Sequence, residues 1–169
     1  MNELRDWIGR SETVDDQIGP TPVRALAATL DHPAAPVPAG TPLPPLWHWL
    51  YFLPLHRGSE IGPDGHAKRG GFLPPVPLPR RMWAGSQFEF HHPIRVGDAV
   101  ARTSTIHDVT VKEGRTGQLV FVKVKHELFC NGSAAPVENF VSSGCGSRGG
   151  RFDRSISFAT LRVVAAPSI

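Results

Sequence analysis

Cysteine is nearly missing from this chain: Cys130 and Cys145 are the only two among 169 residues. They have no metal-ligand spacing, and two thiols this far apart define no disulfide framework. The expected setting is a reducing compartment with both thiols free. No apolar run approaches the roughly 18 residues that a bilayer-spanning helix needs. Met1 does not open a charged-then-apolar signal segment. Histidine spacing suggests no zinc site. There is no GxSxG, no phosphate-cradling glycine loop and no redox CxxC. The reading is a soluble, cytoplasmic protein with no membrane partner, no metal and no cofactor.

The body of the chain also lacks net charge. Residues 1–138 hold 14 Lys+Arg and 14 Asp+Glu, which cancel. Residues 139–169 hold Arg148, Arg151, Arg154 and Arg162 against Asp153, which supplies the whole formal charge of +3. A pI of about 9.2 would otherwise raise nucleic acid as a partner. With a neutral body, no nucleic-acid partner is expected.

What the chain has in abundance is proline beside large aromatics. Between Pro44 and Glu89 lie Trp47, Trp49 and Trp83 and the only tyrosine, Tyr51. Residues 33–79 hold 12 of the 17 prolines. Proline fixes φ and removes backbone donors, so this is no regular amphipathic helix. The aromatic surface is too large for a disordered linker. A rigid aromatic wall with a basic rim of Arg57, Lys68, Arg69, Arg80 and Arg81 remains, suited to a long amphiphilic ligand.

Around that wall the chain divides into zones. Residues 1–32 read as helical: Leu4, Trp7 and Ile8 fall at helical spacing before Gly9. Thr21-Pro22 reads as a helix start before an apolar face of Val23, Leu26, Ala27 and Leu30. LWHWLYFL fits a short strand or a helical turn. GPDGH composes a turn. Residues 82–130 read as β, with Phe88 and Phe90 on one face of SQFEFHH, a long strand over 99–112 and a turn at Glu113–Gly117. In 118–129, Val120, Val122, Val124, His126 and Leu128 face one way, and Lys123, Lys125 and Glu127 the other. Asn131-Gly132 is the strongest hairpin signal, with a return strand near Val137. An antiparallel meander behind one main helix defines an α+β class.

The runs WHWLYFLP, GPDGHAKRGGFLPPVPLPRRMWAGS and FHHPIRVGDAVARTSTIHDVTVKEGRTGQLVFVKVKHEL resemble the N-terminal half of the double-hotdog, MaoC-like acyl-CoA dehydratases, of the itaconyl-CoA / mesaconyl-C4-CoA hydratase type. The resemblance spans residues 2–138. It implies a hotdog fold, an antiparallel sheet wrapped around one main helix. It also implies an acyl-CoA thioester as ligand and either a homodimer or pairing with a second hotdog domain. In that family the catalytic segments, Asn-Gly-His and then Arg-Ile-His-Tyr-Asp, belong to the second hotdog. Neither occurs here: Ser133 follows Asn131-Gly132. Residues 1–138 are therefore expected to form one non-catalytic hotdog domain. Residues 139–169, rich in Gly, Ser, Arg and Ala, are expected to be an aberrant or flexible tail, with a frameshift as one origin.

Hydration of an enoyl thioester needs a proton-transfer pair and donors on the thioester oxygen. His91-His92 precedes a proline at a strand end, His126 lies on an apolar strand face, and Asp64 and His66 share a turn; none reads as catalytic. No catalytic residue is assigned. The expected substrate-binding residues are Trp47, His48, Trp49, Tyr51, Arg80, Arg81 and Trp83, the arginines holding the phosphates of coenzyme A. Two functions stand side by side. One is the pocket-shaping N-terminal domain of a hydro-lyase for short branched enoyl-CoA thioesters. The other is a catalytically inactive acyl-CoA-binding or interaction module. Whether this chain is itself an enzyme stays open at this point.

Overall fold

A computed structural model describes residues 2–114, 117–147 and 163–165. Six strands form one sheet: β1 (Ser11–Gln17), β2 (Arg80–Phe90), β3 (Ala99–Gly114), β4 (Gly117–Cys130), β5 (Glu138–Ser147) and β6 (Val163–Ala165). Their spatial order is β1-β3-β4-β5-β2-β6. All neighbours are antiparallel except β6, which runs parallel to β2. One α-helix, α1 (Pro20–Thr29), packs on this sheet through Val23. This is the α+β hotdog arrangement expected above.

The central strands follow from alternation. Val120, Val122, Val124 and Leu128 are buried on one face of β4, while the side chain of Lys123 points to water. A period of two leaves no other register for a half-buried strand. On β3 the inward set is Val100, Arg102, Ser104 and Ile106; Arg102 pairs with Leu128 and Ser104 with His126. Gly114 and Gly117 close the β3–β4 hairpin, at the turn that Glu113–Gly117 predicts; residues 115–116 lie outside the described residues. Asn131 (φ 51) and Gly132 (φ 72) both adopt left-handed backbone, as the Asn-Gly pair favours. The connection is longer than a two-residue hairpin, because β5 begins only at Glu138.

Three expectations are corrected. SETVDDQ, taken as part of a helical zone, is the edge strand β1, paired with β3 from Ser11–Thr105 to Gln17–Ala99. Its charges sit where an exposed edge tolerates them, and they hide the alternation. The helix starts at Pro20 with Gly19 as N-cap, and Thr21 makes no capping bond. Residues 2–7 form a 3-10 helix that ends at Gly9 (φ +87). Finally, the domain does not end at Glu138. β5 runs to Ser147 and is hydrogen-bonded to β4 on one side and β2 on the other. Small residues have low strand propensity, but they can pair in a sheet centre because the ladder itself uses only backbone groups. Of the expected tail, residues 148–162 and 166–169 lie outside the described residues.

Candidate functional site: a cleft between the sheet and the proline-rich strap

The chain from Phe52 to Leu78 crosses the inner face of the sheet as a strap. Its prolines keep it extended, and local bonds pin it. The Lys68 N–H donates to Glu60 O (2.8 Å) and the Gly62 N–H to His66 O (2.7 Å). The Arg69 guanidinium donates to Val76 O. Arg81 ties the strap to β2: it donates to Ala67 O (3.0 Å) and its Nε lies 3.2 Å from Asp64 Oδ2. What little burial Asp64 has pushes its carboxyl up, but the His66 backbone N–H and the Arg81 charge outweigh it and hold the group below its ordinary value.

Strap and sheet enclose a cleft of about 550 Å³. Val120 and Val122 form its floor together with Gly144 of β5, which adds no side chain. Phe72, Leu73, Val76 and Leu78 of the strap form its roof. Lys68, Arg69, Arg80 and Arg81 also line it, with Arg80 at the Leu119 level of the sheet. Glu12, Phe52 and Arg102 line it as well, with Arg102 at the Leu128 level, toward the other end of β4. The size and the apolar lining with few polar groups are those of a small-ligand site.

The expected site residues separate into two groups. Arg80 and Arg81 line the cleft; Trp47, His48, Trp49, Tyr51 and Trp83 do not. His48 is 3% exposed, and its Nδ1 lies 3.1 Å from Glu138 Oε2, itself buried. Trp47 packs on the core beside it. Tyr51 is buried and donates its phenol to Gly19 O. Burial and the nearby Asp16 charge raise its pKa. Trp49 and Trp83 meet edge to face, ring centroids 5.6 Å apart, and both are about half exposed. The aromatic wall thus covers a sealed part of the core, and the basic rim borders the open part.

Two residues at the inner end were missed. Arg102 lies with its guanidinium carbon 5.0 Å from the Phe52 ring centroid. Its Nε is buried without a hydrogen-bond partner among the described residues. Burial lowers its pKa, and Glu12 partly offsets this. Phe52 itself holds a left-handed conformation (φ 56), fixed by its N–H donating to Asp16 Oδ2 (2.7 Å). A bulky residue there is strained, and such strain concentrates at functional sites. The signal for Arg102 was available: by alternation from Val100 to Ile106 it must point inward. Gly144 was missed because its segment reads as tail by composition.

Other reactive groups are set aside by their surroundings. His126 sits between the Ser104 (2.9 Å) and Ser142 (3.1 Å) hydroxyls. Burial, then the Arg102 and His48 charges, push its pKa down to about 4, so at neutral pH it is an uncharged core residue. Burial and Asp98 push the Cys130 thiol up to about 11, which removes it as a nucleophile.

Sequence comparison supplies the family to which this hotdog sheet and its cleft belong. Residues 46–139 match the family of hydroxyacyl-thioester dehydratase type 2, and the chain belongs to that family. It is 50% identical over 129 residues to the mesaconyl-C(4)-CoA hydratase of Chloroflexus aurantiacus. That match covers 73% of this chain but 46% of the relative, so the chain spans about half the length of that enzyme. In fold it is similar to a chain of the ChsH1-ChsH2 complex from Mycobacterium tuberculosis, with TM-score 0.55, 12% identity, and 88% and 89% of the two chains covered.

Proposed function

We propose that this chain is an N-terminal hotdog domain that shapes the acyl-CoA pocket of a hydro-lyase acting on short branched enoyl-CoA thioesters, of the itaconyl- or mesaconyl-CoA kind. The observation that carries the reading is the cleft: apolar along its length, basic at its mouth. Lys68, Arg69, Arg80 and Arg81 would meet the phosphates of coenzyme A, where guanidinium forks are suited to bind. The acyl arm would lie over Val120 and Val122. The membership in a thioester dehydratase family and the 50% identity to a hydratase support the same ligand.

Catalysis would come from a second hotdog, in a homodimer or a paired chain within the cytoplasm. Among the described residues, His56 of the cleft lies 4.0 Å from Glu60, but both are exposed and so lack the buried, positioned geometry that hydration needs, and the buried contact of His48 with Glu138 does not reach the cleft. The second reading, a binding module without catalysis, differs only in lacking that partner. Isothermal titration of the full chain with crotonyl-CoA tests the proposal. Binding is expected, with hydration at the uncatalysed rate. Replacing both Arg80 and Arg81 by Ala weakens binding about tenfold and flattens its salt dependence. Absence of binding, or turnover that disappears with His48→Ala, would overturn it.

A further inference from the structure

Arg102 is a cationic residue of the cleft that the proposed coenzyme A contacts leave unused. It stands on β3 opposite Leu128. Arg80, at the mouth, stands opposite Ser147, which pairs with Leu119. Nine residues of β4 separate these two levels, about 30 Å of extended strand. Arg102 is thus remote from a phosphate held at the mouth and stands where the acyl end of the ligand would lie.

Arg102 is half-buried, and a buried guanidinium nitrogen without a partner is unusual. Arginine cannot shed its proton in a protein, so burial must be compensated by an anion or by hydrogen bonds. Here compensation is incomplete. The Phe52 ring covers one face. Glu12 shares the cleft, but no ion pair joins it to Arg102 among the described residues. Nε has no acceptor. A buried donor left unpaired costs about 1–3 kcal/mol, more when charged, and such a group calls for an explanation. The Arg102 charge is felt nearby, since it helps to keep His126 neutral. Phe52, which orients the guanidinium, is held in its strained conformation by Asp16.

We infer that Arg102 is a specificity-determining residue that receives a free carboxylate at the far end of the acyl group, so that the cleft selects mono-CoA thioesters of dicarboxylic acids over plain fatty acyl thioesters. The inference rests on the acyl-CoA reading above. The planar fork matches a carboxylate bidentately, and the ligand would supply the acceptor that Nε lacks. Glu12 opposes this by like-charge repulsion and sets an upper limit on the selectivity.

The test is a titration of the full chain with two probes, succinyl-CoA and butyryl-CoA, which differ in carboxylate against methyl. Wild type is expected to bind succinyl-CoA at least tenfold more tightly. Arg102→Met removes that preference by weakening succinyl-CoA alone. Arg102→Lys keeps the charge without the fork and recovers part of it. Glu12→Gln tightens succinyl-CoA and leaves butyryl-CoA unchanged, which keeps the test open should Arg102→Met fail to fold. Equal affinity of wild type for both probes would overturn the role of Arg102 and leave the acyl-CoA reading standing. Binding of neither probe would remove that reading and the inference with it.

Discussion

On β4 and β5, where Leu128 pairs with Glu138, the inner face of the sheet is sealed; where Val122 pairs with Gly144 it is open, and the opening reaches Arg102 on β3. The same strands build both ends. The sealed end is packed by α1 and the Trp47 turn: Val23, Tyr51, Phe52, Phe88 and Leu128 are buried together, and His48 meets Glu138 inside. The open end has β-branched residues on β4 and a glycine on β5, under a strap that does not fill the space. Side-chain volume decides the difference. Large aromatics close one end, and Gly144 lets the other stay hollow. Stability is concentrated where packing is complete, and ligand space remains where it is not.

The largest expected effect tests the sealed end. Removing one partner of a buried pair leaves the other uncompensated, at a cost of about 3–5 kcal/mol. His48→Ala therefore lowers the melting temperature by about 10 °C for a chain of this size, measured by circular dichroism. Replacing both His48 and Glu138 by Leu restores much of the loss, because no lone polar group is left. A single-variant loss below about 1 kcal/mol would mean that the contact does not hold this end.

The boundary between the two ends carries His126, and pH reads it. Its folded pKa, about 4, lies below the ordinary 6.5. The unfolded chain therefore takes up a proton that the folded chain refuses as the pH falls from 6.5 toward 4. Stability from this group is complete above pH 6.5 and is lost across that window, about 3 kcal/mol in all. Urea unfolding at pH 7.5 and 4.5 should show this fall in wild type and a smaller one in His126→Gln. Parallel losses in the two proteins would contradict the assignment of burial, Arg102 and His48 as the causes.

The two ends were unequally legible in the sequence. Alternation in β4 revealed its buried face, because period two with Lys and Glu between admits one register. The aromatic wall was visible as apolar surface that must be covered, and Trp47, Tyr51 and Phe52 are covered while Trp49 and Trp83 are only half so. Proximity in sequence to Arg80 and Arg81 suggested one site; in the structure Trp47, His48 and Tyr51 pack the sealed end, Trp49 and Trp83 stay half exposed, and the arginines border the cleft. Arg102 was hidden among polar neighbours in ARTST, and only its strand parity marks it as inward. Gly144 was hidden by composition. Glycine and serine read as flexible unless the strands on either side are known, and those pairings are fixed by contacts distant in sequence.

The smallest effect is expected at the open end, and it sharpens the contrast most. Arg81 ties the strap to β2 through Asp64, but both side chains are 30% exposed. Ion pairs of that kind contribute about 0–1 kcal/mol. Arg81→Ala should leave the melting temperature within a few degrees of wild type, since about 1 kcal/mol corresponds to roughly 2–4 °C here. Its effect should be local. Amide exchange at Gly62 and Lys68, whose N–H groups bond within the strap, should quicken. Exchange along β4 should not change, because those amides open only with the whole sheet. Should Arg81→Ala instead melt as early as His48→Ala, with β4 and strap amides exchanging together, the strap would belong to the same cooperative unit as the sealed core. The cleft would then be as rigid a part of the fold as the packing around His48.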